Sequence, residues 1–211
     1  MKVFLTKYLL LISLVICFQS CNTPQYLMPL KEGRKTTISE QNFKAPFQDN
    51  FKSMVFKTNL AYGEKFDFGG LLALKQMKPG NYRAIFMTMS GSTLFDFEFG
   101  SQGFVVHKLL KAMDKKLLLK IIEQDFFLLL ANNIPGKKGI VFRKEKQRLI
   151  KTKINNKTLY FLQEKDLLLT KVHQGKSVTI TLSDFLENLP GSIDIQHHNF
   201  PLNMRLKRIK K

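Results

Sequence analysis

The sequence predicts a mainly β protein, built as one antiparallel sheet of about 11 strands with a single helical insert. From Phe51 onward, apolar and polar residues alternate at every second position, which is typical of strands with one buried face. Turn-forming runs such as Lys78-Pro79-Gly80-Asn81 and Asn155-Asn156-Lys157 separate the alternating segments. Consecutive hairpins of this kind favour a meandering antiparallel sheet over a βαβ arrangement.

The strands follow one another with short connections. We predict them at residues 51–62, 65–77, 82–89, 93–99, 104–107, 139–151, 158–163, 167–173, 177–182, 192–197 and 202–209. In the second of these, Gly69-Gly70 interrupts the run and suggests a bulge or a sharp coil, as strongly curved sheets need.

One long segment, Lys111 to Ala131, departs from the strand pattern. Its apolar residues recur at a spacing near 3.6, which predicts a helix with Asp114 as N-cap and a break near Asp125. The apolar arc is wide, so the helix must be covered on more than one side. Two interpretations remain open: ordinary packing on the sheet, or a lid over a concave apolar sheet.

The N-terminus predicts export and a lipid anchor. Residues 1–20 carry two lysines and then an apolar run too short to span a bilayer, the pattern of a signal peptide. The run Phe18-Gln19-Ser20-Cys21 resembles a bacterial lipobox, in which the Cys becomes the lipidated first mature residue. The alternative is an ordinary signal peptide with an incidental Cys. We expect lipidation at Cys21 and anchoring to a membrane, with the body in water.

Residues 21–50 have scattered lysines, two prolines by Leu30 and no sustained period. We therefore expect a tether here, with one short amphipathic piece near Ile38 to Phe43, followed by a folded domain at residues 51–211.

Catalytic and metal-binding patterns are not found in the sequence. It has no phosphate-binding glycine loop, no nucleophile elbow and no zinc-binding helix motif. Asp96 and Glu98 share one strand face and form a possible acid–base pair, but a solvated face is the commoner arrangement. His197 and His198 are neighbours on a strand and point to opposite sides, so they are poorly placed to chelate one ion. We predict no catalytic residue, no metal site and no cofactor.

The chain has 34 Lys+Arg against 16 Asp+Glu, a formal charge of +18. Such a charge points to anionic partners. Arg205, Lys207 and Arg208 crowd the C-terminus and are the predicted contacts with an anionic membrane surface. A solvated basic face is the alternative. Nucleic acid is not expected, because aliphatic residues rather than aromatic ones lie between these basic residues.

Several short motifs, in this order, resemble those of a known family. They are the Cys21 lipobox, Phe68-Gly69-Gly70-Leu71-Leu72, Tyr82-Arg83-Ala84-Ile85-Phe86, Gly91, Leu94-Phe95-Asp96-Phe97 and the helical insert. Together they look like the LolA/LolB family of lipoprotein carriers and acceptors, on the LolB side, over about residues 51 to 210.

The resemblance implies an unclosed antiparallel β-barrel with a helical lid over an apolar cavity. The cavity would hold the acyl chains of client lipoproteins, received from a periplasmic LolA-like carrier and passed to the outer membrane. The protein would then be lipid-anchored in the cell envelope, at the outer membrane and facing the periplasm. The resemblance further implies an exposed apolar residue in the loop after the third strand, where Leu94 is the candidate for membrane insertion.

Acyl chains need a deep apolar surface, and the body is rich in Phe and Met. The predicted cavity residues are Phe66, Phe68, Leu72, Phe86, Phe97, Leu118, Ile122 and Phe126. A packed core would show the same residues. The second hypothesis is therefore a non-enzymatic structural or interaction lipoprotein, whose basic face docks on lipopolysaccharide or on a protein partner.

Overall fold

The computed structural model describes residues 33–47, 51–100, 103–130, 134–164, 169–175 and 177–209. The predicted signal peptide, the predicted lipidation site Cys21 and the first part of the predicted tether lie outside these ranges.

The described residues form 13 strands and one α-helix. The strands are β1 (Gly33–Thr37), β2 (Ser53–Tyr62), β3 (Phe66–Lys78), β4 (Asn81–Thr88), β5 (Thr93–Gly100), β6 (Gly103–Leu109), β7 (Lys138–Lys144), β8 (Gln147–Ile154), β9 (Lys157–Gln163), β10 (Leu169–Gln174), β11 (Val178–Ser183), β12 (Ser192–His197) and β13 (Leu202–Arg208). A 3₁₀ turn at Lys111–Met113 precedes the helix α1 (Lys116–Leu130).

All 13 strands belong to one antiparallel sheet in the order β1-β7-β8-β9-β10-β11-β12-β13-β2-β3-β4-β5-β6. The two edge strands, β1 and β6, do not pair with each other in the described chain, so the sheet is not closed. The predicted architecture is confirmed: a mainly β protein with an unclosed antiparallel sheet and a helix. Within the described ranges, no helix has both the length and the hydropathy that crossing a bilayer requires.

One face of the sheet, which we call the inner face, holds the core. In β2 every second side chain is buried, from Met54 through Phe56 to Tyr62, while the residues between them are exposed or half-buried. The helix α1 lies on this face, since Phe126 contacts the rings of Phe95 and Phe99. The opposite, outer face carries Lys57 and other polar side chains. The period-2 pattern thus reports which side chains are buried.

The prediction of a tether up to residue 50 is wrong for residues 33–47. Gly33–Thr37 forms β1, which pairs with β7. Ile38, Phe43 and Phe47 are each 0% exposed in the core. We call residues 38–47 the strap. Its apolar residues follow no regular period because they fill gaps against several strands, and such contacts leave no local pattern.

Two further elements differ from prediction. The segment 139–151 is not one strand but the hairpin β7–β8, which turns at Glu145, a residue with a φ of 51°. The helix runs through Asp125 without a break, and Asp114 caps the 3₁₀ turn rather than α1. At Gly70, a Cβ would clash with the Met87 carbonyl oxygen, so the glycine permits the close approach of β4; the pairing of β3 shows no bulge there.

Candidate functional site: the inner face and its helix

The interior beneath α1 is aromatic. Phe95 and Phe97 on β5 stack with ring centroids 4.4 Å apart. Phe126 of α1 packs on Phe99 at 4.9 Å and on Phe95 at 6.3 Å. The helix therefore sits directly on the aromatic strand, at the distances that aromatic pairs prefer.

Six of the eight predicted cavity residues lie together in this interior, each at most 1% exposed. They are Leu72, Phe86, Phe97, Leu118, Ile122 and Phe126. Phe66 and Phe68 stack on each other at 5.0 Å and are only partly buried, at the margin of the core. A hollow wide enough for an acyl chain would leave part of its lining exposed. The open cavity implied by the resemblance is therefore not present at these six residues, where side chains fill the space.

The strap contributes to this filling. Phe43 packs edge-on against Phe161 of β9 at 5.3 Å, and Phe47 against Phe51 at 5.0 Å. The Tyr82 hydroxyl donates a hydrogen bond to the Phe47 carbonyl at 3.1 Å, and Arg148 Nη1 donates one to the Asn42 carbonyl at 2.7 Å. Polar bonds at the middle and at the C-terminal end of the strap thus hold it on the inner face.

A buried polar pair joins α1 to the sheet. His197 Nε2 of β12 lies 2.9 Å from Asp125 Oδ2, and the two side chains are 8% and 1% exposed. Burial raises the pKa of the Asp125 carboxyl, and the hydrogen bond with His197 opposes that shift. Asp125 Oδ1 is buried without a hydrogen-bond partner among the described residues. Two polar groups therefore meet in the buried interior between α1 and β12.

A cleft opens beside the helix, between α1 and the β8–β9 hairpin. Its volume is about 430 Å³. Phe127 and Leu128 of α1 and Ile154 and Leu159 of the hairpin form its apolar part. Leu128 and Leu159 are each 2% exposed and also belong to the core, so the cleft reaches the edge of the buried interior. At its mouth, Lys157 Nζ donates a hydrogen bond to Gln124 Oε1 at 2.5 Å.

The predicted membrane-insertion residue Leu94 is buried, at 2% exposure, so this prediction is wrong. The β4–β5 pairing steps from Phe86–Phe95 to Met87–Thr93, which leaves Leu94 as the extra residue of a bulge. A bulge turns consecutive side chains inward, and the Leu94 carbonyl accepts a hydrogen bond from the Leu110 amide. The exposed apolar residue in this connection is Met89, at 72%.

The three predicted anionic-surface residues do not share one face. Arg205 and Lys207 are exposed on the outer face, where Arg205 lies 3.7 Å from Asp194. Arg208 alternates to the inner side and is half-buried, and its Nη1 is a buried atom without a hydrogen-bond partner in the described chain. Of the three, Arg205 and Lys207 line an outer-face depression of about 620 Å³, together with Lys57, and Arg208 does not.

The carboxylates considered for acid–base chemistry each have a basic partner. Arg83 donates two hydrogen bonds to Asp96, at 2.8 and 2.7 Å, and lowers the pKa of that carboxyl. Glu98 lies 3.0 Å from His107. Asp96 and Glu98 are therefore held in separate outer-face pairs, each engaged with its own partner.

Sequence reasoning missed the Asp125–His197 pair, the strap and the exposed position of Met89. Asp125 did carry a signal: it lies three residues after Ile122 and four before Leu129, at a position where the apolar spacing of the helix calls for an apolar side chain. Such a residue at a buried helical position requires a polar partner, although its identity depends on how β12 passes the helix.

Comparison with known proteins adds a distant structural likeness. No protein-family model and no curated protein sequence matches this chain. The fold is similar to a crystal structure of a provisionally assigned outer membrane lipoprotein-sorting protein domain from Vibrio parahaemolyticus, with a TM-score of 0.39 and 8% sequence identity. The likeness covers 75% of this chain and 84% of that chain. A likeness this distant carries no argument about family or function.

Proposed function

We propose that this protein is a lipid-anchored envelope protein that binds the acyl chains of client lipoproteins and passes them to the outer membrane. The acyl chains would enter through the cleft beside α1 and displace side chains beneath the helix. A periplasmic carrier of the LolA type would deliver them. The observation that carries the proposal is the cleft itself, because its apolar floor is continuous with the core under a single helix.

Binding by this route requires α1 to move. The described structure is a closed form, in which Phe126 and its neighbours fill the interior. An acyl chain replaces ring-to-ring contacts by ring-to-chain contacts, so little burial of apolar surface is lost in the exchange. The Asp125–His197 pair is the polar contact that must separate or shift when the helix lifts.

A reversible lock on the helix tests the proposal. Gln124 and Lys157 contact each other through the tips of long side chains across the mouth of the cleft, so Gln124→Cys with Lys157→Cys should be bridged by a bis-methanethiosulfonate linker, which reduction removes. The full chain is purified in detergent, treated with the linker or reduced, and exposed to a photoactivatable fatty acid. We expect acyl cross-linking to α1 and the hairpin in the reduced form, and about a tenfold loss of it in the bridged form.

The matched control is the same chain with only Gln124→Cys, which should cross-link equally under both conditions. Equal labelling of the locked and unlocked double variant would contradict entry beneath the helix. Native mass spectrometry of the wild-type chain provides a second readout. Absence of any co-purifying or added lipid on the protein would contradict acyl binding as a whole.

A further inference from the structure

A groove of about 730 Å³ lies on the outer face at the β1 edge of the sheet. The β8–β9 hairpin separates it from the cleft beside α1, since the pair Lys153–Thr158 of the groove is one register step from the pair Ile154–Lys157 of the cleft. It is lined by four lysines, with threonine hydroxyls beside them. The residues that matter here are Lys35 and Thr37 of β1, Lys138 of β7, Lys151 and Lys153 of β8, and Thr158 of β9.

Strand register brings these lysines together. Lys138 pairs with Thr37, and Lys153 with Thr158. Lys151 lies two residues from Lys153 on the same face of β8, about 7 Å away. Lys35 pairs with Ile140, which in turn pairs with Lys151. With neighbouring strands about 4.8 Å apart, four ammonium groups share a small area.

This arrangement is unfavourable for the isolated protein, because like charges on adjacent strands repel one another. Among the described residues, no carboxylate lines the groove, and none of the four lysines forms an ion pair within 4.0 Å. Lys151 Nζ lies over the Tyr160 ring, at 5.6 Å. An anion bound in the groove would relieve the repulsion.

Protection of a sheet edge does not account for the cluster. Lysines on edge strands prevent edge-to-edge association, and that explanation suits Lys35 on β1. Lys138, Lys151 and Lys153 lie on β7 and β8, each of which has a strand on both sides. Three of the four lysines thus need another explanation.

We propose that this groove binds the phosphate-bearing headgroups of an anionic lipid surface. Charge complementarity favours an anion as the ligand. The short length of chain between the predicted lipid anchor and the groove favours a membrane as the source of that anion. Eleven residues lie between Cys21, the predicted lipid anchor, and Gly33 at the start of β1. A chain of that length spans at most about 40 Å, so an anchor at Cys21 would set an upper limit on the distance between β1 and the membrane. This inference goes beyond acyl transfer, but the choice of a membrane as the source of the anion rests on the lipid anchor of the proposed function.

The test uses the full chain reconstituted into two kinds of vesicle, pure phosphatidylcholine and phosphatidylcholine mixed with phosphatidylglycerol. Lysine acetylation rates are measured peptide by peptide with mass spectrometry. We expect Lys138, Lys151 and Lys153 to react about fivefold more slowly in the mixed vesicles, given the attraction expected for each basic residue near an anionic surface. Lys75 and Lys111, which are exposed elsewhere, should react equally in both.

Variants and a soluble anion separate the remaining outcomes. Lys138→Gln with Lys153→Gln should abolish the protection of Lys151, whereas Lys75→Gln with Lys111→Gln should not. Equal protection in both kinds of vesicle, or none in either, would overturn the proposal. Equal protection by inorganic phosphate without vesicles would assign the groove to a free anion instead. Acyl cross-linking beneath α1 stays intact in every one of these cases, so failure here is distinct from failure of the acyl-binding proposal.

Discussion

Two adjacent histidines, His197 and His198, differ in burial and in their polar partners. His197 points to the inner face and meets Asp125, whereas His198 points outward and lies 2.9 Å from the Thr179 hydroxyl. Their opposite directions follow from the alternation of a strand. A third histidine, His173, lies 3.0 Å from the same hydroxyl. His198 and His173 thus share one polar partner, the Thr179 hydroxyl, whereas His197 is paired with Asp125.

Removing one member of the buried pair should destabilise the protein strongly. Asp125→Ala leaves His197 buried without its partner, and we expect a loss of about 3 kcal/mol in the free energy of unfolding, measured by urea denaturation. The double variant Asp125→Leu with His197→Phe replaces both groups by apolar ones and should stay within about 1 kcal/mol of the wild type. A double variant as unstable as the single one would show that the loss of stability comes from side-chain packing and not from a buried polar group without its partner.

His173 should make stability depend on pH. Burial lowers the pKa of His173 to about 4 from 6.5, and Lys171 and His198 act in the same direction. The unfolded chain therefore takes up a proton at a higher pH than the folded one. The contribution of His173 to the free energy of unfolding is fully present above pH 6.5 and is lost as the pH falls towards 4.

The measurement is the difference in unfolding free energy between the wild type and His173→Gln at several pH values. We expect the wild type to lose stability relative to His173→Gln as the pH falls from 6.5 to 4. His107→Gln serves as the control, because His107 lies exposed in the pair with Glu98. A constant difference for His173→Gln would contradict the lowered pKa.

At the scale of elements, the strap decides how much of the chain belongs to the fold. It begins after β1 at one edge of the sheet, crosses the inner face past β9 and β4, and ends before β2. The same residues would be expendable if they were a tether. Point substitutions within the strap therefore distinguish the two descriptions.

Phe43→Ala should destabilise the protein by about 3 kcal/mol, because it removes a fully buried ring and leaves a cavity beside Phe161. The change is measured by thermal or urea unfolding. Lys44→Ala, at the exposed neighbouring position, should leave the stability within about 0.5 kcal/mol of the wild type. Equal stability of the two variants would contradict a structural role for the strap.

At the scale of the whole molecule, the two faces of the sheet carry different kinds of side chain. The inner face is aromatic and covered by α1, whereas the outer face carries the lysine groove and the exposed Arg205. The exposed loop between β4 and β5 adds an apolar tip at Met89. Acyl binding and headgroup binding are thus proposed for opposite faces of the sheet and can be removed one at a time.

Met89→Glu should weaken delivery of acyl chains to vesicles without changing the stability of the protein. Met89 is 72% exposed, so the substitution removes no core contact but puts a charge where an apolar tip would enter lipid. We expect a severalfold slower transfer of a fluorescent acyl chain from the loaded protein to vesicles. Met77→Glu is the matched control, because Met77 is also exposed, at 45%, and lies at the opposite end of the β3–β4 pair. Equal transfer rates for both variants would exclude a special role for this loop.

Periodicity alone determined most strands, the helix α1 and the inward direction of residues such as Phe97 and Ile122. These features follow from the spacing of apolar side chains along the chain, which is local information. The tertiary structure alone decided the sheet order, the burial of the strap, the partner of Asp125 and the inward turn of Leu94. Each depends on contacts between residues far apart in sequence, or on a one-residue shift in pairing that local spacing does not encode. The grouping of four lysines is of the same kind, since strand register places them side by side.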